Sequence, residues 1–325
     1  VIFSHLQIMA GFDQGKSAVV GFFLLTGYVM TMLVNKYYLS PDRVPWFYFD
    51  RIMRLYPQYL FYLAATVVFL WVANPVNSWT ALCTPSMYAV NVLLLPLYNF
   101  HNNLPLDKCT INPPAWSLAL ELLFYGIVPF IAILWSRFVL LAVAVFSLSY
   151  YGQAYLGTID TDGYVLRSIF GTLFIFLAGM SFANDGRLSR IYRWGVWVGA
   201  IILMGMLLVD QSLGSLNSNK EVLIGILVGI PGLALTRRIA FTRSEQLAGN
   251  LSYGMYLNHF VLIMLLVKIG FLTYHDTRTY HNIAYCGVVV ISAAVSYLSY
   301  SFIEKPVLLW RRSLRMGQVQ PVANG

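Results

Sequence analysis

Long apolar runs alternate with short polar segments along the whole chain. Runs near 17–34, 57–73, 115–135, 138–156, 168–183, 194–210, 222–236, 251–272 and 283–303 each approach the length of a membrane-crossing helix. Such a helix needs roughly 20 mainly apolar residues. The opening run, 1–11, is about half a span and is read as the end of a first helix whose beginning precedes Val1. It carries no basic n-region and no small-residue cleavage site, so it is not read as a signal peptide. The pattern predicts an all-α bundle of about ten transmembrane helices. A further apolar stretch, 86–98, is bounded by Pro85 and Pro96. Its length predicts a re-entrant or interfacial helix rather than a span.

Charge supplies the orientation. With the first helix running outward, the inner segments are 35–56, the turn at Ser136 and Arg137, 184–193, 237–250 and the tail from 304. They hold 15 of the 21 Lys and Arg residues. An excess of basic residues marks the cytosolic side, so both termini are expected there. Counting 86–98 as a full span would invert everything after it and destroy the bias. The membrane domain is expected to run from 1 to 314. The tail from Arg315 is expected to be disordered.

Composition narrows the class further. The chain is 58% apolar and 10% charged, whereas soluble domains carry about 25% charged residues. No aqueous domain of useful size fits between the runs. The net charge of +8 sits in short clusters between spans, which argues against a nucleic-acid partner and for a lipid bilayer. Cys83 and Cys109 bracket the 86–98 stretch. They would pair in an oxidising compartment, or remain two thiols; the sequence leaves both open.

Ionisable groups inside a bilayer are costly and mark candidate sites. His5 and His259 are the histidines placed well inside spans. A neutral imidazole is a common general base for a hydroxyl, although a hydrogen bond to a neighbouring helix is the plainer role. Glu121 is the one carboxylate deep in a span, and Ser117, Glu121 and Tyr125 recur every four residues on one helix face. Arg51 and Arg54 lie one turn apart at the membrane face, a spacing able to clamp phosphates or simply to anchor the helix against headgroups. Ser252, Tyr256 and His259 share another face. Glu304 and Lys305 are placed at the inner surface, where snorkelling or an ion pair requires no function. No Walker loop, dinucleotide fingerprint, metal-spaced His/Cys cluster or GxSxG elbow is present, so no metal and no permanently bound cofactor are expected.

Six segments carry a resemblance: SHL with His5, GFFLLTGYVM, FDRIMRLYPQY, WSLALELLFYGIVP, LSYGMYLNHFVL and SYLSYSFIEKP. In this order, over nearly the whole chain, they resemble the acyltransferase-3 family of bacterial integral-membrane O-acyltransferases. The resemblance implies transfer of an acyl group, usually acetyl, from cytosolic acyl-CoA (acetyl-CoA as co-substrate) to a sugar hydroxyl of a cell-envelope or exported polysaccharide. It implies a bacterial inner membrane. His5 matches the family's catalytic histidine, Arg51 and Arg54 a motif linked to thioester-donor binding, and Glu121, with Trp116 and Ser117, a motif whose acid is required or lines the site. Two departures are visible. The family's arginine eleven residues before its histidine would precede Val1, and Thr26 in TGY stands where a serine is usual.

The mechanism this predicts has Arg51 and Arg54 holding coenzyme A phosphates. His5 acts as general base or as transient acyl carrier, and Glu121 orients His5 or stabilises its cation. Trp116, Ser117, Tyr125, Tyr256 and His259 line the cavity and hold the carbohydrate acceptor. The rival is a transporter or flippase of a glycan or small solute, which internal sequence symmetry would favour; no such symmetry is seen. A non-catalytic envelope subunit is a second rival.

Overall fold

A computed structural model describes residues 1–5, 12–73, 83–102, 109–133, 137–184, 186–240, 242–271 and 278–318. Residues 6–11 of the expected first span lie outside them. The described helices are α1 (Ile2–His5), α2 (Gln14–Leu33), α3 (Val44–Ala73), α4 (Pro85–Leu93), α5 (Trp116–Ile133), α6 (Arg137–Tyr155), α7 (Ile169–Met180), α8 (Arg187–Val209), α9 (Asn219–Thr236), α10 (Arg243–Lys268), α11 (Arg278–Ser299) and α12 (Lys305–Gln318). Among the described residues there is no strand. Seven stretches of the described residues are long and apolar enough to cross a membrane. The protein is therefore an all-α, polytopic membrane protein. The expected tail boundary at Arg315 falls inside α12, which continues to Gln318, and 319–325 lie outside the described residues.

Two helices start earlier than the apolar runs. α3 begins at Val44, thirteen residues before its apolar run, and passes through Pro57. Arg51 and Arg54 therefore stand on a membrane helix, not in a connecting segment. α10 begins at Arg243 because Thr242 and Glu245 form a reciprocal capping box, which satisfies donors that a helix start otherwise leaves bare. α7 is short at 12 residues, yet every residue in it except Phe170 is buried. It is prolonged by a π-helical turn, Thr161–Leu166, before it.

α2 and α7 approach most closely. A Cβ on Gly27 would meet the carbonyl oxygen of Phe176, and one on Gly179 would meet that of Leu24. Small residues of this kind let membrane helices touch backbone to backbone. On the opposite side a polar seam joins α3, α10 and α11. Gln58 donates to Ser299 Oγ at 2.9 Å, and the Asn258 amide donates to Ser296 Oγ at 2.9 Å and to the Ser292 carbonyl at 3.1 Å.

The 86–98 stretch does not cross. α4 ends at Leu93, whose carbonyl accepts from Tyr56 Oη at 2.7 Å. Tyr56 lies seventeen residues before the end of α3, or about 25 Å at the helical rise, so α4 dips deep into the bundle. Leu94 then reverses the chain at φ 62°, fully buried, a conformation uncommon for leucine. The Asn91 side chain supplies the hydrogen bonds that the returning strand of chain lacks: it accepts from Ile111 N at 3.0 Å and donates to the Cys109 carbonyl at 2.9 Å. Irregular backbone at membrane depth survives only when its polar groups are met in this way. Cys83 and Cys109 form a disulfide across the mouth of this re-entrant segment, which resolves the alternative left open by the sequence.

Candidate functional site

A cavity of about 410 Å³ runs between α2, α3, α5 and α10 and reaches Val1, just before α1. Its wall on α2 extends from Ala18 to Met30, about 18 Å at 1.5 Å per residue. Val1 marks one end; Arg51 and Arg54 mark the other. Ser117, Glu121 and Tyr125 from α5 and Tyr256 from α10 line the shaft between them. The four-residue recurrence on α5 and the Ser252–Tyr256 pair on α10 thus present their faces to one space.

At the arginine end, the guanidiniums are already partnered. Asp50 binds Arg51, and Arg311 from α12 pairs with the same carboxylate at 3.3 Å. Arg54 pairs with Glu304. Glu304 is only 2% exposed, so of the two roles left open for it the ion pair is the one formed. A π-helical turn, Tyr300–Glu304, joins α11 to α12 and lies against α3, so the side chain turns inward instead of snorkelling out. Each arginine also lies over an aromatic ring, Arg51 6.0 Å from the centre of Tyr125 and Arg54 5.4 Å from that of Tyr253. Such cation–π contacts hold a guanidinium in a fixed plane.

Glu121 is fully enclosed. Tyr125 Oη donates to it, Thr26 bonds it, and Arg51 and Arg54 act on it electrostatically. Among the described residues no hydrogen bond joins Glu121 to His5. The orienting role expected for Glu121 therefore has no contact to carry it. Glu121 belongs to the arginine half of the cavity.

His5 does not itself line the cavity, and neither do Trp116 and His259. His5 N donates to the carbonyl of Val1 at 3.1 Å. The His5 ring meets that of His259 with centroids 5.1 Å apart and planes perpendicular, and that of Phe260 at 5.8 Å. One turn back on α10, Tyr256 Oη donates to the Pro114 carbonyl and lies 2.7 Å from Ser117 Oγ. Trp116 faces the same region, where the Arg167 guanidinium covers its ring at 4.4 Å.

A charged cluster behind His5 was not singled out by the sequence. Asp13 caps α2, accepting from Gly15 N at 2.9 Å and bonding Ser4 Oγ, and it acts on His5 together with Arg167. Asp162 pairs with Lys16 Nζ at 2.8 Å and with Arg167 Nε at 3.0 Å, and accepts from Ser218 Oγ at 3.0 Å. Burial pushes the Asp162 carboxyl up, but Arg167 and Lys16 outweigh it and hold it down at about 2. These residues lie in polar connections, where a lone charge reads as solvated surface. The one local signal was Asp13 two residues before a glycine at a helix start, an N-cap pattern. Among the described residues no group of His, Cys, Asp and Glu is placed to hold a metal ion.

Long apolar helices around a cavity with a basic end define a polytopic membrane protein. The chain matches the acyltransferase domain over residues 1–301 and belongs to the acyltransferase-3 family. It is a membrane acyltransferase. A protein of Aquifex aeolicus (strain VF5), described as uncharacterized, is 31% identical over 207 residues, covering 60% of this chain and 87% of its own. No solved structure matches.

Proposed function

We propose that this acyltransferase moves an acyl group, acetyl in the first instance, from cytosolic acyl-CoA to a hydroxyl of a cell-envelope or exported carbohydrate, in a bacterial inner membrane. The observation that carries this reading is the cavity that joins the Arg51–Arg54 end to Val1, whose carbonyl accepts from His5 N at 3.1 Å. A thioester arm entering at the arginines would lie along the apolar shaft, with its diphosphate held at the mouth.

In the transfer step, His5 takes the proton of the acceptor hydroxyl as the oxygen attacks the thioester carbonyl carbon. The C–S bond breaks, and the departing thiolate takes that proton from the imidazolium. Tyr256 and Ser117, already hydrogen-bonded to each other, stand along the wall where the acceptor would sit. Donor phosphates must displace Glu304 and Asp50 from the guanidiniums, so donor binding exchanges one set of anions for another.

The test is thiol release from acetyl-CoA by purified protein offered a panel of envelope sugars. Acceptor-dependent release that His5→Ala abolishes supports the reading. Donor binding that is absent in folded protein refutes it and favours transport.

A further inference from the structure

We propose that His259 is the positioning residue for His5: its Nε2 accepts a hydrogen bond from one ring nitrogen of His5 and so decides which nitrogen faces the acceptor hydroxyl. The inference rests on the reading of His5 as the base. It assigns to a second imidazole the role that a carboxylate plays in other acid–base sites.

The first ground is the state of His259 itself. Its Nδ1 lies 3.1 Å from the Met255 carbonyl oxygen. A carbonyl only accepts, so Nδ1 carries the proton and Nε2 keeps its lone pair. His259 is fully buried, and Nε2 has no hydrogen-bond partner among the described residues. A buried acceptor left bare is rare in native structures, and an N–H donor satisfies it.

The second ground is which donor is near. The Tyr256 ring lies 6.1 Å away, but its hydroxyl is committed to the Pro114 carbonyl and Ser117. Phe260 offers no donor. Among the described ring neighbours His5 remains, its ring centre 5.1 Å distant and its plane perpendicular. An N–H···N bond needs nitrogens about 2.9–3.0 Å apart. Adding the distance from each ring centre to its nitrogen gives close to the observed separation, so the two rings stand at the spacing such a bond requires. Perpendicular planes do not oppose it, because each ring can turn about the N–H···N line without breaking the bond.

The third ground is exclusion. Glu121, the carboxylate that sequence spacing offers for this role, is bonded by Tyr125 and Thr26 at the arginine half of the cavity. The charged groups acting on His5 are the amino group of Val1, Asp13 and Arg167. Asp13 is engaged by Ser4 and by the start of α2, and Arg167 by Asp162 and the Trp116 face.

The chain has 5 histidines, few enough for direct observation of tautomers by long-range ¹H–¹⁵N correlation on the full chain in lipid nanodiscs. In wild type His5 should hold one tautomer. In His259→Phe, which keeps the ring shape but has no lone pair, both tautomers should appear. In His259→Gln, whose amide oxygen can accept near the Nε2 position, one tautomer should return. In turnover His259→Phe should lower kcat at least tenfold with KM for acetyl-CoA unchanged, and His259→Gln should recover most of it. A His5 tautomer indifferent to His259→Phe would overturn the proposal, as would an equal loss in both variants. If His259→Phe does not fold, the wild-type His259 Nε2 shift decides. It should be that of a hydrogen-bonded acceptor, and should move to that of a free one in His5→Phe. A free-acceptor shift in wild type refutes the pair. If no acceptor is ever turned over yet the tautomer results hold, the transfer reading fails and the pair stands.

Discussion

The Asp162 cluster permits a worked prediction for Asp162→Asn. The substitution keeps the shape and the bond from Ser218 but removes the charge that compensates Lys16 and Arg167. The folded carboxyl sits at about 2 against 3.8 for the free group, which corresponds to about 2 kcal/mol at neutral pH. Removing one partner of a buried pair typically costs about 3–5 kcal/mol. The Lys16 side chain keeps 19% exposure, which sets the expectation lower, at about 2–4 kcal/mol. With about 2–4 °C per kcal/mol for domains of 150–250 residues, the melting temperature in detergent should fall by roughly 5–15 °C. The pH dependence has a definite sign. Because the folded carboxyl is depressed, its stabilisation is complete above the free value and is lost as pH falls toward 2. Wild type should therefore lose stability between about pH 4 and pH 2, and that part of the acid slope should be missing in the variant. Heating aliquots and scoring the surviving monodisperse peak by size exclusion gives both quantities. An unchanged melting temperature at pH 7, or an identical acid slope in the two proteins, would refute the reasoning.

Other perturbations test other parts of the bundle. Gly27→Leu and Gly179→Leu should each prevent recovery of folded protein in detergent, whereas Gly21→Leu, where a Cβ meets nothing within 4 Å, should be recovered normally. Tyr125→Phe leaves Glu121 without its phenolic donor and should cost about 1–3 kcal/mol, read as a lower melting temperature; no change would show that Thr26 suffices. Glu304→Gln should weaken the hold on Arg54 and lower the Kd for acetyl-CoA in equilibrium binding, and a raised Kd would show that Glu304 does not compete with the donor.

The helices were legible because bilayer thickness imposes a length and a polarity that the chain displays openly. Helical spacing was enough to align Ser117, Glu121 and Tyr125 on one wall, and α4 was legible from its length between two prolines. Pairings between distant segments were not. Lys16 and Asp162 are 146 residues apart, and nothing in their neighbours signals that they meet. Arg51 and Arg54 were recognisable as a pair, but nothing in the sequence named Asp50 and Glu304 as their partners. Only the turn between α11 and α12, a departure from regular helix that no residue pattern announces, brings Glu304 onto Arg54. Likewise Glu121 was the natural orienter for His5 by residue type. Depth along the helix axis, which periodicity does not encode, separates them.

The bond between Cys83 and Cys109 has a consequence for how the protein comes into being. Thiols pair where oxidants are, so on the proposed orientation the bridge closes only after its loop has been carried across the membrane. Until then the partly apolar segment between them has no clasp, and its buried asparagine has no returning chain to hold. Export of the loop thus precedes completion of the fold, and a cell short of periplasmic oxidant would accumulate chains that are inserted but unfinished. The order of assembly is written into two residues that lie outside the cavity.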